Sequence, residues 1–355
     1  MVTEPNNWGR FGPEDQRGTL NLLTPDVVLA ALATASTGRV ISLSMPIRGA
    51  TSSPAPTTVP HLRGRPLPQH FMSVDGGDYA AGAKAIGAGL RMADDALIVT
   101  HHGTTTHMDA LCHMWSGESL YNGHPAARVR SYGASRCGIE TVGGVAARGV
   151  LFDLPRHLGL DHLPADFRVS GDLLEEMAPD VRPGDVAVLR TGWPLVWERS
   201  REEYWSGQPG LSGDGGRWLA SRDVALVASD NAAIGGLNSR QLADEGLEDD
   251  LHMIFLWRHG IHLAEMLWLE DLAGALADAD QAGTDTATTT TATTGSESEG
   301  AGGSGSEGAG GSGSEGEGES TGRGRAGVRR DFLFIAAPLK IEGGTGSPIN
   351  PLAIL

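Results

Sequence analysis

The sequence predicts an α/β fold, in which buried strands alternate with helices. Two segments support this prediction, because residues 186–191 and 224–230 are apolar runs that end in a polar residue. Strands of this kind are typical of α/β layers, which carry their sites at the strand ends. Helix-start signals are the third observation: Thr24 precedes Pro25, and Ser170 precedes an acidic first turn.

Composition limits the function classes. The chain has 355 residues, 40% of them hydrophobic, which is enough for a sizeable buried core. Its formal net charge of -17 leaves no basic footprint for nucleic acid or for an anionic membrane surface. Two cysteines give no disulfide framework, and the polar first residues do not resemble an export signal. We therefore expect a cytoplasmic enzyme with a small-molecule substrate and no membrane partner.

The remaining elements follow from local patterns along the chain. A helix is predicted from Thr24 to a stop near Gly38, and a proline-rich loop covers residues 49–69. A capping pair, Asp249 and Asp250, begins a helix that Gly260 closes. The other predicted elements are strands at 39–45, 150–154, 186–191, 224–230, 261–265 and 331–341 and a helix at 170–177.

The most informative pattern lies between residues 97 and 115. His107, Asp109 and His113 are spaced i, i+2, i+6, which puts all three on one face of an extended strand but not of a helix. The β-branched run at 97–106 favours a strand. Imidazoles with a carboxylate suit a divalent ion such as zinc or manganese. A second interpretation of the same pattern is a set of hydrogen-bonded structural histidines.

A carboxylate lies in an apolar strand further along the chain. In the strand predicted at 261–265, Glu265 shares a face with Ile261 and Leu263. A carboxylate on an apolar face is costly unless it is paired or bound to a cation. Glu265 is therefore expected to be paired with a positive group or bound to a cation.

The motif also resembles a known family. The string 106–113, Thr-His-Met-Asp-Ala-Leu-Cys-His, resembles the His-x-Asp-x-x-x-His signature of the cyclase family, which includes bacterial kynurenine formamidases and isatin hydrolases. The resemblance spans the chain except residues from about 277 to 329. The sequence is similar to the longer family members in four segments, at residues 7–9 (Asn-Trp-Gly), 17–25, 184–193 and 343–348.

The resemblance implies a fold, an activity and a set of site residues. The fold would be a single domain with a curved mixed β-sheet flanked by helices, a swivelling β/β/α arrangement whose subunits associate as homo-oligomers. The activity would be metal-dependent hydrolysis of a C–N bond in a small amide, aryl formamide or cyclic amide. His107, Asp109, His113 and Glu265 would hold one or two divalent ions, zinc or manganese. His252 would be catalytic and would move a proton to the leaving nitrogen.

The chain departs from the family pattern at two positions, one of which is Leu111, where many members have proline. Short members carry a histidine four residues before the first motif histidine, where this chain has Gly103. His102 and His101 lie beside that position, so the number of ions stays open. His259 and His262 are rivals of His252. A metal-dependent lyase or cyclase of natural-product metabolism is a second candidate function, and a non-catalytic metal-binding protein is a third.

Two further features are interpreted as structural. Cys112 would point away from Asp109 and His113 on an alternating strand, which predicts a buried neutral thiol. The glycine-rich run 343–348 follows a strand but has no lysine and no helix signal after it, so it is not expected to bind phosphate.

A compositionally distinct segment occupies residues 281–327. It contains a threonine-alanine tract and two successive copies of Gly-Ala-Gly-Gly-Ser-Gly-Ser-Glu, at 300–307 and 308–315. Large apolar residues are nearly missing, so burial cannot offset the entropy of ordering. We predict a disordered insertion inside one catalytic domain formed by residues 1–280 and 328–355.

Overall fold

The computed structural model describes residues 5–48, 59–236, 246, 248–293 and 330–355. The strands are β1 Val40–Ser42, β2 Gln69–Val74, β3 Asp94–Ile98, β4 His107–Asp109, β5 Val129–Arg130, β6 Gly133–Ala134, β7 Val145–Asp153, β8 Arg168–Val169, β9 Val186–Arg190, β10 Gly210–Leu211, β11 Leu226–Ser229, β12 His262–Glu265, β13 Asp331–Ala336, β14 Gly346–Pro348 and β15 Leu352–Ile354.

Helices lie between these strands. The α-helices are α1 Pro25–Leu32, α2 Gly76–Ala80, α3 Leu154–Leu158, α4 Gly171–Met177, α5 Pro194–Arg199, α6 Arg201–Ser206, α7 Gly213–Ser221 and α8 Glu270–Thr293. A π-helix spans Met253–His259, and 3₁₀-helices span Gly18–Leu22, Tyr121–Gly123, Ala126–Arg128 and Ile139–Thr141.

Nine strands form one mixed sheet, in the order β1-β15-β13-β7-β9-β11-β12-β4-β14, which curls into a half-barrel. The four central strands β7, β9, β11 and β12 are parallel. The strands outside this group pair antiparallel on both sides. The α/β class and the curved mixed sheet flanked by helices are therefore confirmed.

The sheet centre is apolar because it is covered on both faces. Every residue of β9 and of β11 is buried, as expected for parallel strands between two layers. Helix α1 packs on β7 and β13, while α7 packs on α4 and on the π-helix. Because the sheet centre is apolar and buried, polar side chains that could bind a ligand are expected at the ends of the strands.

Helix starts agree with the predicted capping residues. The Thr24 hydroxyl accepts a hydrogen bond from the Val27 amide, and the Ser170 hydroxyl accepts one from the Leu173 amide. Asp250 caps the segment before the π-helix by accepting from the Met253 amide at 3.0 Å. Gly260 ends it in the left-handed region, with φ 64°. The helix predicted there exists, but most of it is π-helical.

The chain divides into two compact units, residues 1–273 with 330–355 and residues 274–329. The predicted insertion at 281–327 falls within the second unit. Its first residues differ from the prediction of disorder, because α8 continues to Thr293. Residues 270–293 contain no proline and are rich in alanine, so nothing in the backbone ends the helix at 281. Residues 294–327 lie outside the described part of the chain, as do residues 49–58 of the predicted loop.

No helix among the described residues is both long and apolar enough to cross a bilayer.

Candidate metal centre

Strand pairing brings the two predicted parts of the site together. In the antiparallel ladder between β4 and β12, Glu265 lies opposite His107 and Leu263 lies opposite Asp109. Opposite residues share a face, and so do residues two apart on one strand. His107, Asp109 and Glu265 therefore project from one face of the sheet, and all three are buried.

His113 reaches the same place by a different route from the one predicted. The chain turns after β4, where the His113 amide donates to the Ala110 carbonyl at 2.9 Å and the Cys112 amide to the Cys137 carbonyl at 3.1 Å. The prediction that one strand carries His107, Asp109 and His113 is therefore wrong for His113. Even so, ligand atoms of Asp109, His113 and His252 lie within 4.8 Å of one another.

The predicted strand at 97–106 is wrong beyond Ile98. Strand β3 ends at Ile98, and β4 begins only at His107. Between them Gly103 has φ 74°, and the Thr105 hydroxyl donates to the His101 carbonyl at 3.3 Å. Threonine hydroxyls that bond nearby carbonyls offer the backbone an alternative to a ladder. A turn therefore interrupts the β-branched run.

His102 joins the centre from this turn. Its Nδ1 lies 2.9 Å from Asp109 Oδ1, and its Nε2 lies 3.1 Å from the Thr345 hydroxyl. Because an ionised carboxylate only accepts, Nδ1 carries a proton and donates it to Asp109, while Nε2 pairs with the Thr345 hydroxyl. The ring stacks on His113 with 3.8 Å between centroids. A Cβ on Gly346 would lie 2.7 Å from His102 Cε1, so only glycine allows this approach.

His107 is oriented by the backbone. Its Nδ1 donates to the Thr105 carbonyl at 2.7 Å, which leaves Nε2 facing the carboxylates. Nε2 lies 3.4 Å from Glu265 Oε2 and 3.5 Å from Asp109 Oδ1. Burial disfavours the imidazolium, but Glu265 and Asp109 outweigh it and raise the pKa of His107. The position between these three groups therefore attracts a positive charge.

Two carboxylate oxygens point at the centre without a hydrogen-bond partner among the described residues: Asp109 Oδ2 and Glu265 Oε1. His252 Nε2 lies 3.9 Å from the first and 3.6 Å from the second. Burial and the neighbouring Asp109 raise the pKa of Glu265, since a second buried negative charge is costly. Burial lowers the pKa of His113 to about 3, which keeps its ring neutral and able to bind a cation.

Ligand atoms form two overlapping groups around Asp109. One consists of His102, His107 and Asp109, and the other of Asp109, His113 and His252. The chain thus has a candidate His/Asp metal site.

The N-terminal segment supports the helix that carries His252. The Trp8 indole donates to the Trp257 carbonyl at 2.7 Å, and the two rings pack edge to face. The Thr19 amide donates to the Gly260 carbonyl at 2.9 Å. A Cβ on Gly18 would lie only 1.8 Å from that same carbonyl oxygen. Residues 7–9 and 17–19 therefore fix the end of the π-helix.

Comparison with known proteins identifies the family. The profile of the Cyclase family, described as "Putative cyclase", matches residues 41–235, more than half of the chain. A solved structure described as a novel cyclase is 30% identical, covers 99% of this chain and 100% of its own, and superposes with a TM-score of 0.77. This chain belongs to the cyclase family.

More distant solved structures share the cyclase fold. An isatin hydrolase bound to the product analogue thioisatinate is 16% identical, with a TM-score of 0.53 over 94% of this chain and 99% of the other. Isatin hydrolase A from Labrenzia aggregata is 15% identical, with a TM-score of 0.51 over 92% and 97%. No curated protein matched the chain in the corresponding search. His252 and Glu265 lie beyond the range that the family profile matches.

Three other candidates, His262, Cys112 and His101, do not belong to the two groups of ligand atoms. His262 points away from Glu265, is fully buried, and has no partner for either ring nitrogen among the described residues. Burial raises the pKa of the Cys112 thiol to about 12, which agrees with the predicted neutral thiol. Burial lowers the pKa of His101 to about 4, and His101 belongs to neither group of ligand atoms.

Thr345 and Gly346 belong to the centre but were not predicted from the sequence. Both lie in the glycine-rich run 343–348, where β14 pairs with β4 and places Gly346 opposite Asp109. The available signal was the glycine at a strand end, which often marks close approach of another group. Here that group is the ring of His102.

Proposed function

We propose that this cyclase-family chain is a metal-dependent hydrolase that cleaves a C–N bond in a small amide, aryl formamide or cyclic amide. The observation that carries the proposal is the pair of partnerless buried oxygens, Asp109 Oδ2 and Glu265 Oε1, directed toward the same space. Two buried carboxylates are stable only beside positive charge. A divalent ion supplies that charge.

The donor set fits such an ion. His107, Asp109, His113 and Glu265 are the residues that would hold it, with two imidazoles and two carboxylates. This mixture of nitrogen and oxygen ligands suits zinc or manganese. When bound, the ion lowers the pKa of a water molecule and polarises the substrate carbonyl.

The surrounding residues have separate tasks in this proposal. The Thr105 carbonyl holds the His107 ring with Nε2 directed inward, and His102 holds Asp109 through Oδ1. The side chains of His252 and His102 are each 14% exposed, against 1% for His107. Both ring nitrogens of His102 already have partners in Asp109 and Thr345, so His252 is the exposed imidazole that we propose for contact with a substrate. We assign His252 the transfer of a proton to the leaving nitrogen.

The substrate class rests on similarity. Family membership, together with a fold shared with isatin hydrolases, supports a small cyclic amide or a related open-chain amide as the substrate. The strongly acidic chain also argues against a nucleic-acid substrate.

The first test is elemental analysis of the purified protein, wild type against Asp109→Ala. We expect one or two equivalents of zinc or manganese in the wild type and none in the variant. The matched control is Asp172→Ala, which removes an exposed carboxylate at the start of α4 and should leave the metal content unchanged. Full metal retention in Asp109→Ala would overturn the proposed centre.

The second test is a substrate screen of aryl formamides, cyclic amides and lactones in ¹⁸O-labelled water. A hydrolase incorporates one labelled oxygen into the acid product. Turnover without label would assign the chain to the lyase or cyclase class, and stoichiometric metal with no turnover of any compound would favour a binding protein.

A further inference from the structure

We propose that Thr106 is a positioning residue that holds Glu265 toward the candidate metal centre, an inference that rests on the function proposed above. Thr106 immediately precedes His107, the first residue of β4, and its side chain is buried. It is the last of three successive threonines, residues 104–106. Its hydroxyl bonds to the chain directly after Glu265, so it can act on that residue without touching it.

The Thr106 hydroxyl joins two segments that are distant in the sequence. Its Oγ1 donates a hydrogen bond to the Met266 carbonyl at 2.5 Å and accepts one from the Met45 amide at 3.0 Å. All three residues are buried. A variant without the hydroxyl would take a partner from a buried carbonyl and from a buried amide, which is costly where water is excluded.

Met266 has a backbone conformation that needs support. Its φ is +58°, in the left-handed region that residues other than glycine rarely adopt. Strand β12 ends at Glu265, so this conformation lies directly after the candidate ligand. A residue of this kind keeps its conformation only where its surroundings hold it there. The contacts of Met266 therefore decide how β12 ends.

Hydrogen bonds hold this point from both neighbouring strands. The Met266 amide donates to the Asn231 carbonyl at 2.8 Å, and the Leu267 amide donates to the Ser229 carbonyl at 3.1 Å. Ser229 is the last residue of β11, the neighbour of β12 on one side. Thr106 precedes β4, the neighbour on the other side. The chain after Glu265 is thus fixed between the two strands that flank β12.

Side-chain packing supports the same conformation. Met266 is fully buried in an apolar cluster with Met45, Val59 and Ala232. Met45 is also the residue whose amide donates to Thr106. The cluster and the hydroxyl therefore tie together the same two segments, and Met266 is held through its amide, its carbonyl and its side chain.

The register explains why this matters for the metal centre. Glu265 lies opposite His107 in the antiparallel ladder, so the next residues along it are Met266 and Thr106. The hydroxyl continues the ladder at the position where the left-handed residue ends the strand. It prevents the end of β12 from fraying, and so keeps Glu265 Oε1, which has no partner among the described residues, directed at the centre.

The first experiment compares Thr106→Val, which keeps the shape of the side chain and removes the hydroxyl, with Thr106→Ser, which keeps the hydroxyl. Isothermal titration of metal-free protein with zinc and with manganese measures the dissociation constants. We expect about tenfold weaker binding in Thr106→Val and wild-type binding in Thr106→Ser. The matched control is Thr141→Val, because Thr141 is half-buried and its hydroxyl also donates to a backbone carbonyl, that of Gly138 at 2.7 Å. It should keep the wild-type constants.

Two further measurements separate positioning from stability. The visible absorption of the cobalt(II)-loaded protein reports the geometry of the ligands, and thermal unfolding of the metal-free protein reports stability. We expect altered cobalt bands in Thr106→Val and wild-type bands in Thr106→Ser. A lower melting temperature in Thr106→Val with unchanged zinc affinity and unchanged cobalt bands would overturn the proposal. If Thr106→Val does not fold, Thr106→Ala removes the same hydroxyl with less bulk and has the same expected outcomes.

The last experiment asks whether Thr106 acts through Glu265. Adding Thr106→Val to Glu265→Gln should weaken zinc binding by no more than about twofold beyond Glu265→Gln alone, because both changes disturb one ligand. Losses that multiply fully would overturn this route. Absence of zinc and manganese binding in the wild type would overturn the metal centre itself, and with it the role of Thr106. Wild-type binding with equal constants in Thr106→Val would overturn the role of Thr106 alone.

Discussion

His107 and Glu265 lie directly opposite each other on the antiparallel neighbours β4 and β12, with 3.4 Å between His107 Nε2 and Glu265 Oε2. The two residues are 158 positions apart in the chain. One hydrogen-bonded ladder thus joins the His-x-Asp motif to the carboxylate that completes the candidate centre.

The role of Glu265 can be tested by Glu265→Gln, which keeps the shape of the side chain and removes its charge. We expect metal affinity to fall by roughly tenfold to hundredfold, the range typical of residues that bind or orient a metal. Isothermal titration of metal-free protein with zinc or manganese measures it. The control Glu198→Gln changes an exposed residue of α5 and should have no effect. Equal affinities in wild type and Glu265→Gln would remove Glu265 from the ligand set.

A second prediction separates proton transfer from metal binding at His252. The His252→Gln variant should retain its metal and lose catalytic rate by roughly 10²- to 10⁴-fold, the contribution of a general acid or base. Metal content and kcat are measured on the same preparation. His259→Gln, at the other end of the same helix, serves as the control and should keep both. Loss of metal from His252→Gln would show that His252 is a ligand, as its grouping with Asp109 and His113 allows.

A third prediction concerns the hydroxyl that holds His102. Thr345→Val keeps the shape of the side chain and removes the partner of His102 Nε2. The ring then loses its fixed orientation toward Asp109, and we expect metal affinity to fall by about tenfold. Thr345→Ser retains the hydroxyl and should restore it. A Thr345→Val protein with wild-type affinity would mean that stacking on His113 alone positions His102.

The fourth prediction tests the support of the π-helix. Gly18→Ala should destabilise the protein by more than about 1 kcal/mol, because the new Cβ meets the Gly260 carbonyl in addition to the unfavourable positive φ. Gly38→Ala is the matched control, since Gly38 has φ +73° and nothing within 4 Å of the added Cβ. Urea unfolding of the two variants measures the difference. A Gly18→Ala variant as stable as Gly38→Ala would contradict the close packing of Gly18 on Gly260.

Local signals in the sequence determined much of the fold. Thr24, Ser170 and Asp250 cap helices as predicted, because a cap depends on a side chain and an amide only two or three residues away. The apolar runs that became β9 and β11 were also predictable, since a fully buried strand needs apolar residues on both faces.

His107, Asp109 and His113 could be selected from the sequence, but the backbone structure predicted to carry them was wrong. Strand β4 covers only His107–Asp109, and a turn brings His113 back. Spacing alone could not reveal this turn, because it depends on the hydrogen bond from Cys112 to Cys137 in a distant loop.

Only the tertiary structure decided how the parts of the centre meet. The sequence showed that Glu265 sits on an apolar face, but the register that sets it opposite His107 is a property of the β4–β12 ladder. The hydrogen bond between Thr345 and His102 likewise joins residues that are 243 positions apart in the chain. His102 in turn forms a hydrogen bond with Asp109. Local propensity and periodicity act over a few residues, whereas strand register and close approach are fixed by packing between segments that the sequence separates.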